Sequence, residues 1–128
     1  MTRGLADTSL FIARETGRML DVEALPDELA VSVVTIGELT AGVLATGETE
    51  TRARRLMTLT RALSMHPVPI DEDVAASWAA LRVLLRDRGQ RMPVNDSWIA
   101  ATAMALEIPV VTQDDDYPTL PVLDVIRV

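Results

Sequence analysis

Four acidic residues lie far apart in this 128-residue chain, each beside an apolar stretch: Asp7, Glu38, Asp96 and Asp114. A carboxylate without a partner is costly to place beside buried apolar segments, so acids at these places need partners. If the fold brings them together, their like charges repel one another unless a hard cation neutralises them. Carboxylate oxygens are ligands that Mg²⁺ and Mn²⁺ prefer. The pattern therefore predicts a metal site and an enzyme.

The composition favours one folded domain that spans residues 1–128. Hydrophobic residues make up 48% of the chain and charged residues 24%, which is typical of globular proteins. No apolar run approaches the roughly 18 residues that a membrane-spanning helix needs. A strand-like segment begins by Gly4, which leaves no room for a signal peptide, and the chain has no cysteine. We therefore expect no disulfide bonds, no membrane partner and a cytoplasmic location.

The net charge of −7 excludes a broad basic surface, but it does not exclude RNA as a partner. Bound cations would neutralise part of this charge at the four acids. All 12 basic residues are arginines, and the guanidinium group binds phosphate through two hydrogen bonds at once. Four of them come shortly before Asp96 and are candidates for binding RNA phosphates: Arg82, Arg86, Arg88 and Arg91.

Segments typical of buried strands alternate with amphipathic helices along the chain. Strands are predicted at residues 4–7, 29–35, 65–70, 108–112 and 122–128, and helices at 8–15, 19–25, 35–45, 50–63, 71–87 and 94–106. This alternation predicts an α/β fold, with a mainly parallel central sheet flanked by helices on both faces. In such folds, ligands bind beyond the carboxyl ends of the strands. Asp7 and Asp114 come at or directly after predicted strand ends, and Glu38 lies just beyond a third.

Each acid also has a purely structural explanation. Thr35 and Glu38 have the spacing of a capping box, and Asp96 could be an acid that the helix dipole favours. The run from Asp114 to Asp116 has the composition of a turn. The metal site would be excluded only if all of these structural explanations were correct at once. A phosphoacceptor domain or an α/β phosphatase also gathers acids around Mg²⁺, but these use a lysine, which the chain lacks.

Four segments carrying these acids resemble, in the same order, the motifs of the PIN-domain family, specifically its VapC-type toxins from bacterial toxin–antitoxin pairs. The segments are Asp-Thr-Ser at 7–9, Gly-Glu-Leu-Thr-Ala-Gly at 37–42, the alanine-rich run that opens with Asn-Asp at 95–96, and Thr-Gln-Asp-Asp-Asp-Tyr at 112–117. The chain departs from the family pattern at Tyr117, where phenylalanine is usual, and at Trp98, where an aliphatic residue is typical. Asp115 is an additional acid, which leaves open whether Asp115 or Asp116 supports the metal.

The resemblance implies an endoribonuclease that depends on Mg²⁺ or Mn²⁺. Hydrolysis by a water molecule that the metal activates would leave 5′-phosphate ends. The predicted catalytic residues are Asp7, Glu38, Asp96 and Asp114, and the predicted metal ligands are Asp7, Asp96, Asp114 and Asp116. Hydrogen bonds from neighbouring hydroxyl groups would orient the carboxylates, and the candidates for these are Thr8, Ser9 and Thr112.

The resemblance also implies two protein partners, a second copy of the chain in a homodimer and a cognate VapB-type antitoxin. In this family a basic antitoxin side chain commonly reaches into the acidic site. The alternative hypothesis is a catalytically silent PIN fold that binds RNA or the antitoxin without cutting.

Overall fold

A four-stranded sheet forms the centre of the molecule. The computed structural model describes residues 1–128 and contains the strands β1 (Arg3–Ala6), β2 (Glu28–Val31), β3 (Val110–Thr112) and β4 (Val125–Arg127). The strands lie in the order β2-β1-β3-β4, and every neighbouring pair is parallel. Because all four run the same way, their carboxyl ends share one edge of the sheet.

Helices cover both faces of this sheet, as predicted. They are α1 (Thr8–Thr16), α2 (Val33–Leu44), α3 (Thr49–Leu63), α4 (Glu72–Asp87) and α5 (Val94–Leu106). Successive residues of a strand point to opposite faces. Leu5 and Val110 accordingly pack in a core with residues of α4 and α5, whereas Ala6 and Val111 pack with Leu10 of α1. The predicted α/β fold class is confirmed.

The central strands approach each other closely at Gly4. A Cβ atom at this position would lie 2.5 Å from Cγ2 of Val111 and 2.9 Å from Cγ of Pro26. Such distances are too short for real carbon atoms, so only glycine fits there without a shift of its neighbours. This contact sets how tightly β1 packs beside β3, the two strands that end at predicted site residues.

The second predicted strand is too long. Strand β2 ends at Val31, and α2 begins at Val33, where the sequence pattern suggested four more strand residues. Ser32 stops the strand because its Oγ accepts a hydrogen bond from the backbone N–H of Val34 and so caps the helix. Thr35 therefore lies inside the helix and does not cap it, and the predicted capping box with Glu38 is wrong.

The elements predicted at 65–70 and 19–25 are much shorter in the structure. The expected strand at 65–70 is a single parallel bridge between Val68 and Ser32, because Pro67 and Pro69 have no N–H to donate to a ladder. The expected helix at 19–25 is one 3₁₀ turn, Val22–Ala24. The predicted long helix capped by Asp71 and the helix at 94–106 are confirmed. No helix has the length and apolar character needed to cross a membrane.

Candidate active site

Asp7 lies at the carboxyl end of β1 and is almost completely buried, with 2% of its surface exposed. Its Oδ2 accepts hydrogen bonds from Thr112 Oγ1 at 3.0 Å and from the backbone N–H of Ser9 at 3.3 Å. Its Oδ1 accepts one from the hydroxyl of Tyr117 at 2.9 Å. A carboxylate offers about four acceptor positions, so these three bonds leave one, on Oδ1. The side chain is thus held rigidly with one oxygen position open.

Tyr117 is itself buried, and its environment keeps the hydroxyl protonated. Burial, followed by the negative charge of Asp7, raises the pKa of Tyr117 far above its ordinary value. The phenol therefore acts only as a donor to Asp7 at any ordinary pH. In the sequence, this tyrosine was only a departure from the family pattern, and no role was predicted for it. A buried tyrosine hydroxyl needs a hydrogen-bond partner, so its place beside the acidic segment was the signal that could have indicated a role.

Glu38 lies in α2 and is half-buried, one turn beyond Val34. Its Oε1 accepts a hydrogen bond from Thr8 Oγ1 at 2.8 Å, and the same hydroxyl lies 2.9 Å from Oγ1 of Thr35. Thr8 opens α1 directly after Asp7, so one residue links the first acid to the second. The structure thereby brings Glu38 beside the end of β1, where the sequence predicted it.

Asp96 lies in the first turn of α5, where the helix dipole favours a negative charge. The surroundings have the opposite effect and prevail. Burial, followed by the charges of Asp7 and Glu38 and then of Asp114 and Asp116, raises the pKa of Asp96 from 3.8 to about 6. Asp96 therefore lies in a first helical turn, as the structural explanation requires, but also among other acids that make its charged form unfavourable.

Asp114 follows β3, and the turn that carries it is built on Thr112. The hydroxyl of Thr112 accepts a hydrogen bond from the backbone N–H of Asp114 at 2.9 Å while it donates to Asp7. The hydroxyl of Ser9 lies 3.1 Å from that of Thr112 and accepts from the N–H of Gln113. Burial, and then the charge of Asp7, raises the pKa of Asp114. The three hydroxyl residues predicted to orient the carboxylates all form hydrogen bonds within the site.

The structure distinguishes the two remaining acids of the turn. Asp115 is exposed and forms an ion pair with Arg127, with 3.3 Å between Nε and Oδ1. Asp116 is also exposed, but its charge is among the causes that raise the pKa values of Asp96 and Asp114. Asp116 is therefore the acid of this pair that lies towards the site.

These side chains line one cavity of about 330 Å³, which we call the acidic cavity; its lining residues are Asp7, Thr8, Ser9, Ile12, Arg18, Glu38, Asp96 and Asp114.

Arg18 is the one cation that lines the acidic cavity, and it was not predicted from the sequence. It follows Gly17, whose φ of 75° ends α1 and redirects the chain. The charge of Arg18 lowers the pKa of Asp114, against the effect of burial. The guanidinium forms no ion pair within 4 Å; its hydrogen bond is a long one, 3.5 Å to Gln113.

The acids share the cavity without forming a ready-made ligand cluster. No group of three or more acidic or histidine side chains stands in an arrangement that could hold a metal ion. To surround an ion, the acids would have to stand closer together than they do here, around an Asp7 that hydrogen bonds hold in place.

The predicted RNA-binding arginines lie elsewhere. Arg82, Arg86 and Arg91 line a second cavity at the end of α4, whereas Arg88 does not line it. The structure thus groups three of the four, away from the residues that line the acidic cavity.

Comparison with known sequences identifies the class of this fold and site. The family model of the PIN domain matches residues 5–123. The chain therefore belongs to the PIN-domain family, and the resemblance of its four acidic segments to that family is confirmed.

Individual relatives narrow the comparison to the VapC group. The chain is 50% identical over 117 residues to ribonuclease VapC5 of Mycobacterium tuberculosis, covering 91% of this chain and 87% of the relative. It is 48% identical over 126 residues to ribonuclease VapC4 of the same species, covering 98% and 97%. The crystal structure of VapBC-5 from M. tuberculosis, a member of the VapBC family of toxin–antitoxin systems, superposes with a TM-score of 0.91 at 44% identity over the whole of both chains.

Proposed function

We propose that this protein is a toxin endoribonuclease that hydrolyses RNA phosphodiester bonds with the help of Mg²⁺ or Mn²⁺. The observation that carries the proposal is the acidic cavity. Four acids from distant parts of the sequence meet there. Burial, followed by the charges of the neighbouring acids, raises the pKa of Asp96 to about 6. Curated relatives at about half identity are named ribonucleases, which supports RNA as the substrate.

The donor set fits a small hard cation. It consists of carboxylate oxygens, with no thiolate and no imidazole, and this chemistry selects Mg²⁺ or Mn²⁺ over zinc or copper. Asp7, with its one open oxygen position, would hold the ion together with Asp96 and Asp114. Glu38 and Asp116 would complete the site directly or through water. When bound, such an ion lowers the pKa of a water molecule and stabilises negative charge on a phosphate group.

The residues of the chain itself position the reacting groups. Asp7 is fixed by Tyr117 and Thr112, so it provides the rigid reference point of the site. Thr8 holds Glu38, which remains able to accept a proton from an attacking water. Arg18 reaches the rim of the cavity without an ion-pair partner and is suited to bind a phosphate oxygen next to the bond that is cut.

We further propose an antitoxin and a second copy of the chain as protein partners. The structural neighbour VapBC-5 is described as a toxin–antitoxin system, which supports an antitoxin for this chain. The acidic cavity, with its excess of negative charge, could accept a basic side chain of such a partner in place of the metal ion. Homodimer formation and a cytoplasmic location remain predictions from the sequence.

The test is cleavage of RNA by the purified chain freed of any antitoxin. Total RNA is incubated with the protein in Mn²⁺ or in Mg²⁺, with a chelator in parallel, and the new ends are mapped. The Asp96→Asn variant should be inactive. The Asp124→Asn variant is the matched control, because Asp124 is exposed and precedes β4 at the opposite edge of the sheet.

Metal-dependent cuts that leave 5′-phosphate ends, equal in wild type and Asp124→Asn and absent from Asp96→Asn, are the expected result. Equal cutting by Asp96→Asn would point to a contaminating nuclease and remove the support for the site. Metal binding without any cleavage by the wild type would favour the catalytically silent binding module.

A further inference from the structure

The end of α4 and the loop that follows it enclose a cavity of about 380 Å³, which we call the arginine cavity. Its lining residues are Arg82, Leu85, Arg86, Gln90, Arg91 and Met92. Three of these six are arginines and none is acidic, although the chain as a whole carries a net charge of −7. A local concentration of positive charge on an acidic protein attracts a polyanion to that place and not to the rest of the surface.

One of the three guanidinium groups rests on a rigid support. The guanidinium carbon of Arg82 lies 5.3 Å from the centre of the Trp78 ring, in cation–π contact. The Trp78 ring stacks on Trp98 with 4.3 Å between centroids and 3° between planes, and its Nε1 donates to Ser97 Oγ at 3.0 Å. Because the indole cannot move freely, Arg82 loses little freedom when it binds a ligand.

The other two arginines are available as well. Arg86 forms an ion pair with Asp87 at 3.2 Å, but both side chains are mostly exposed, at 75% and 60%. An exposed pair of this kind contributes little to stability and opens readily. Arg91 takes part in none of the ion pairs of the structure. The cavity therefore offers up to three cationic groups to a ligand.

Gln90 shows what else the ligand must carry. Its Oε1 is buried and has no hydrogen-bond partner, which is an unfavourable state that a bound donor would relieve. A phosphate group or an acidic side chain would satisfy the arginines but has no hydrogen to donate to Gln90. A nucleotide of RNA has both parts, because its phosphate accepts and its ribose 2′-hydroxyl or base amino group donates.

We propose that the arginine cavity binds one nucleotide of the RNA substrate, with the phosphate on Arg82 and Arg91 and a hydroxyl or amino donor on Gln90. The proposal rests on the proposed ribonuclease function. Arg91 precedes Asp96 by five residues, and an extended chain spans at most about 3.6 Å per residue, so their Cα atoms lie within about 18 Å. The bound nucleotide would thus lie near the scissile bond along the RNA chain.

The test measures RNA binding separately from cleavage. A fluorescein-labelled, mixed-sequence single-stranded RNA, and a DNA of the same sequence, are titrated with the full chain in chelator at several salt concentrations. Arg82→Gln and Arg91→Gln are compared with Arg54→Gln, which removes the same charge from an exposed position of α3 outside the cavity. Gln90→Met keeps the size of the side chain but removes the acceptor. Thermal unfolding of every variant verifies that the fold is intact.

We expect Arg82→Gln and Arg91→Gln each to weaken RNA binding roughly tenfold. Each should also reduce the slope of log Kd against log salt by about 0.7, the value for one lost phosphate contact on a single strand. Arg54→Gln should change the dissociation constant by less than about twofold. Gln90→Met should weaken RNA binding several-fold, because the donor loses its acceptor. It should weaken DNA binding equally if the donor is a base amino group, and less if the donor is the ribose 2′-hydroxyl.

If Arg82→Gln and Arg91→Gln bind RNA with the dissociation constant and salt slope of Arg54→Gln, the subsite is refuted. If these variants also cut RNA like the wild type, the ribonuclease function would stand without it. Binding of both RNA and DNA by Gln90→Met with the dissociation constants of the wild type would remove the nucleotide assignment. Displacement of the labelled RNA from the wild type, but not from Arg82→Gln, by a poly-glutamate peptide at equal charge concentration would show an acidic protein site instead.

Discussion

Asp96→Asn should stabilise the metal-free protein while it abolishes the response to metal. The surroundings raise the pKa of Asp96 from 3.8 to about 6, which means that the ionised carboxylate is unfavourable in the folded state. The difference between these two pKa values corresponds to about 3 kcal/mol at neutral pH. The side chain is half-exposed, so screening by solvent reduces the penalty to about 1–2 kcal/mol. Asparagine has nearly the same shape and carries no charge, so the substitution removes this penalty.

The pH dependence of the effect has a definite sign. A carboxyl group with a higher pKa in the folded state binds its proton more tightly when folded, so the wild type loses stability as the pH rises from about 4 to about 6. Above pH 6 the loss is complete. The advantage of Asp96→Asn should therefore be full at pH 7.5 and should shrink by more than half at pH 4.5.

The assay is thermal unfolding in chelator and in Mn²⁺, at both pH values. In chelator at pH 7.5, the variant should unfold about 3–8 °C above the wild type. In Mn²⁺ the wild type should gain about 3 kcal/mol when the ion is present at a hundred times its dissociation constant, and the variant should gain far less. Asp124→Asn, the control at the other edge of the sheet, should follow the wild type throughout. A variant that is less stable than the wild type in chelator at pH 7.5, or whose advantage is independent of pH, would refute the electrostatic account of the site.

Three further substitutions test other parts of the structure. Tyr117→Phe removes the hydrogen-bond donor to buried Asp7 and should lower the free energy of unfolding, measured in urea, by about 1.5–3 kcal/mol. A change below about 0.5 kcal/mol would contradict this hydrogen bond. Arg18→Gln should lower kcat/KM for RNA roughly tenfold without a measurable loss of stability. The control Arg14→Gln, four residues earlier and within α1, should leave kcat/KM unchanged. Equal effects of the two substitutions would exclude a specific role for Arg18. Gly4→Ala should lower the free energy of unfolding by about 1–3 kcal/mol in the same urea assay, because its Cβ would meet Val111. Gly37→Ala, whose Cβ meets nothing within 4 Å, should leave the free energy of unfolding unchanged or raise it.

The sequence was sufficient for the fold class because that class depends on local patterns. Helices α4 and α5 have clear limits, with Asp71 as a side-chain cap and Pro93 directly before Val94, and both were predicted within a residue. The error at β2 arose where the strand propensity of single residues conflicts with a helix cap. Val33 and Val34 favour strand by type, yet the cap at Ser32 places them in a helix.

The chain by itself also determined the acids that meet in the acidic cavity. Each acid follows or opens an element, and parallel strands bring such positions to one edge for any sequence with this order of elements. The type of donor, carboxylate without cysteine, was likewise readable from the sequence, and the proposal of a hard cation rests on it.

Only the tertiary structure decided how those acids differ from one another. The hydroxyl of Tyr117 reaches Asp7 across more than a hundred residues of sequence, and Arg127 draws Asp115 away while Asp116 stays near the site. Arg18 lies at the cavity because Gly17 redirects the chain there. Such contacts join residues that no local pattern relates, because packing of the whole chain sets the distances between them, and the pKa values follow from those distances and from burial.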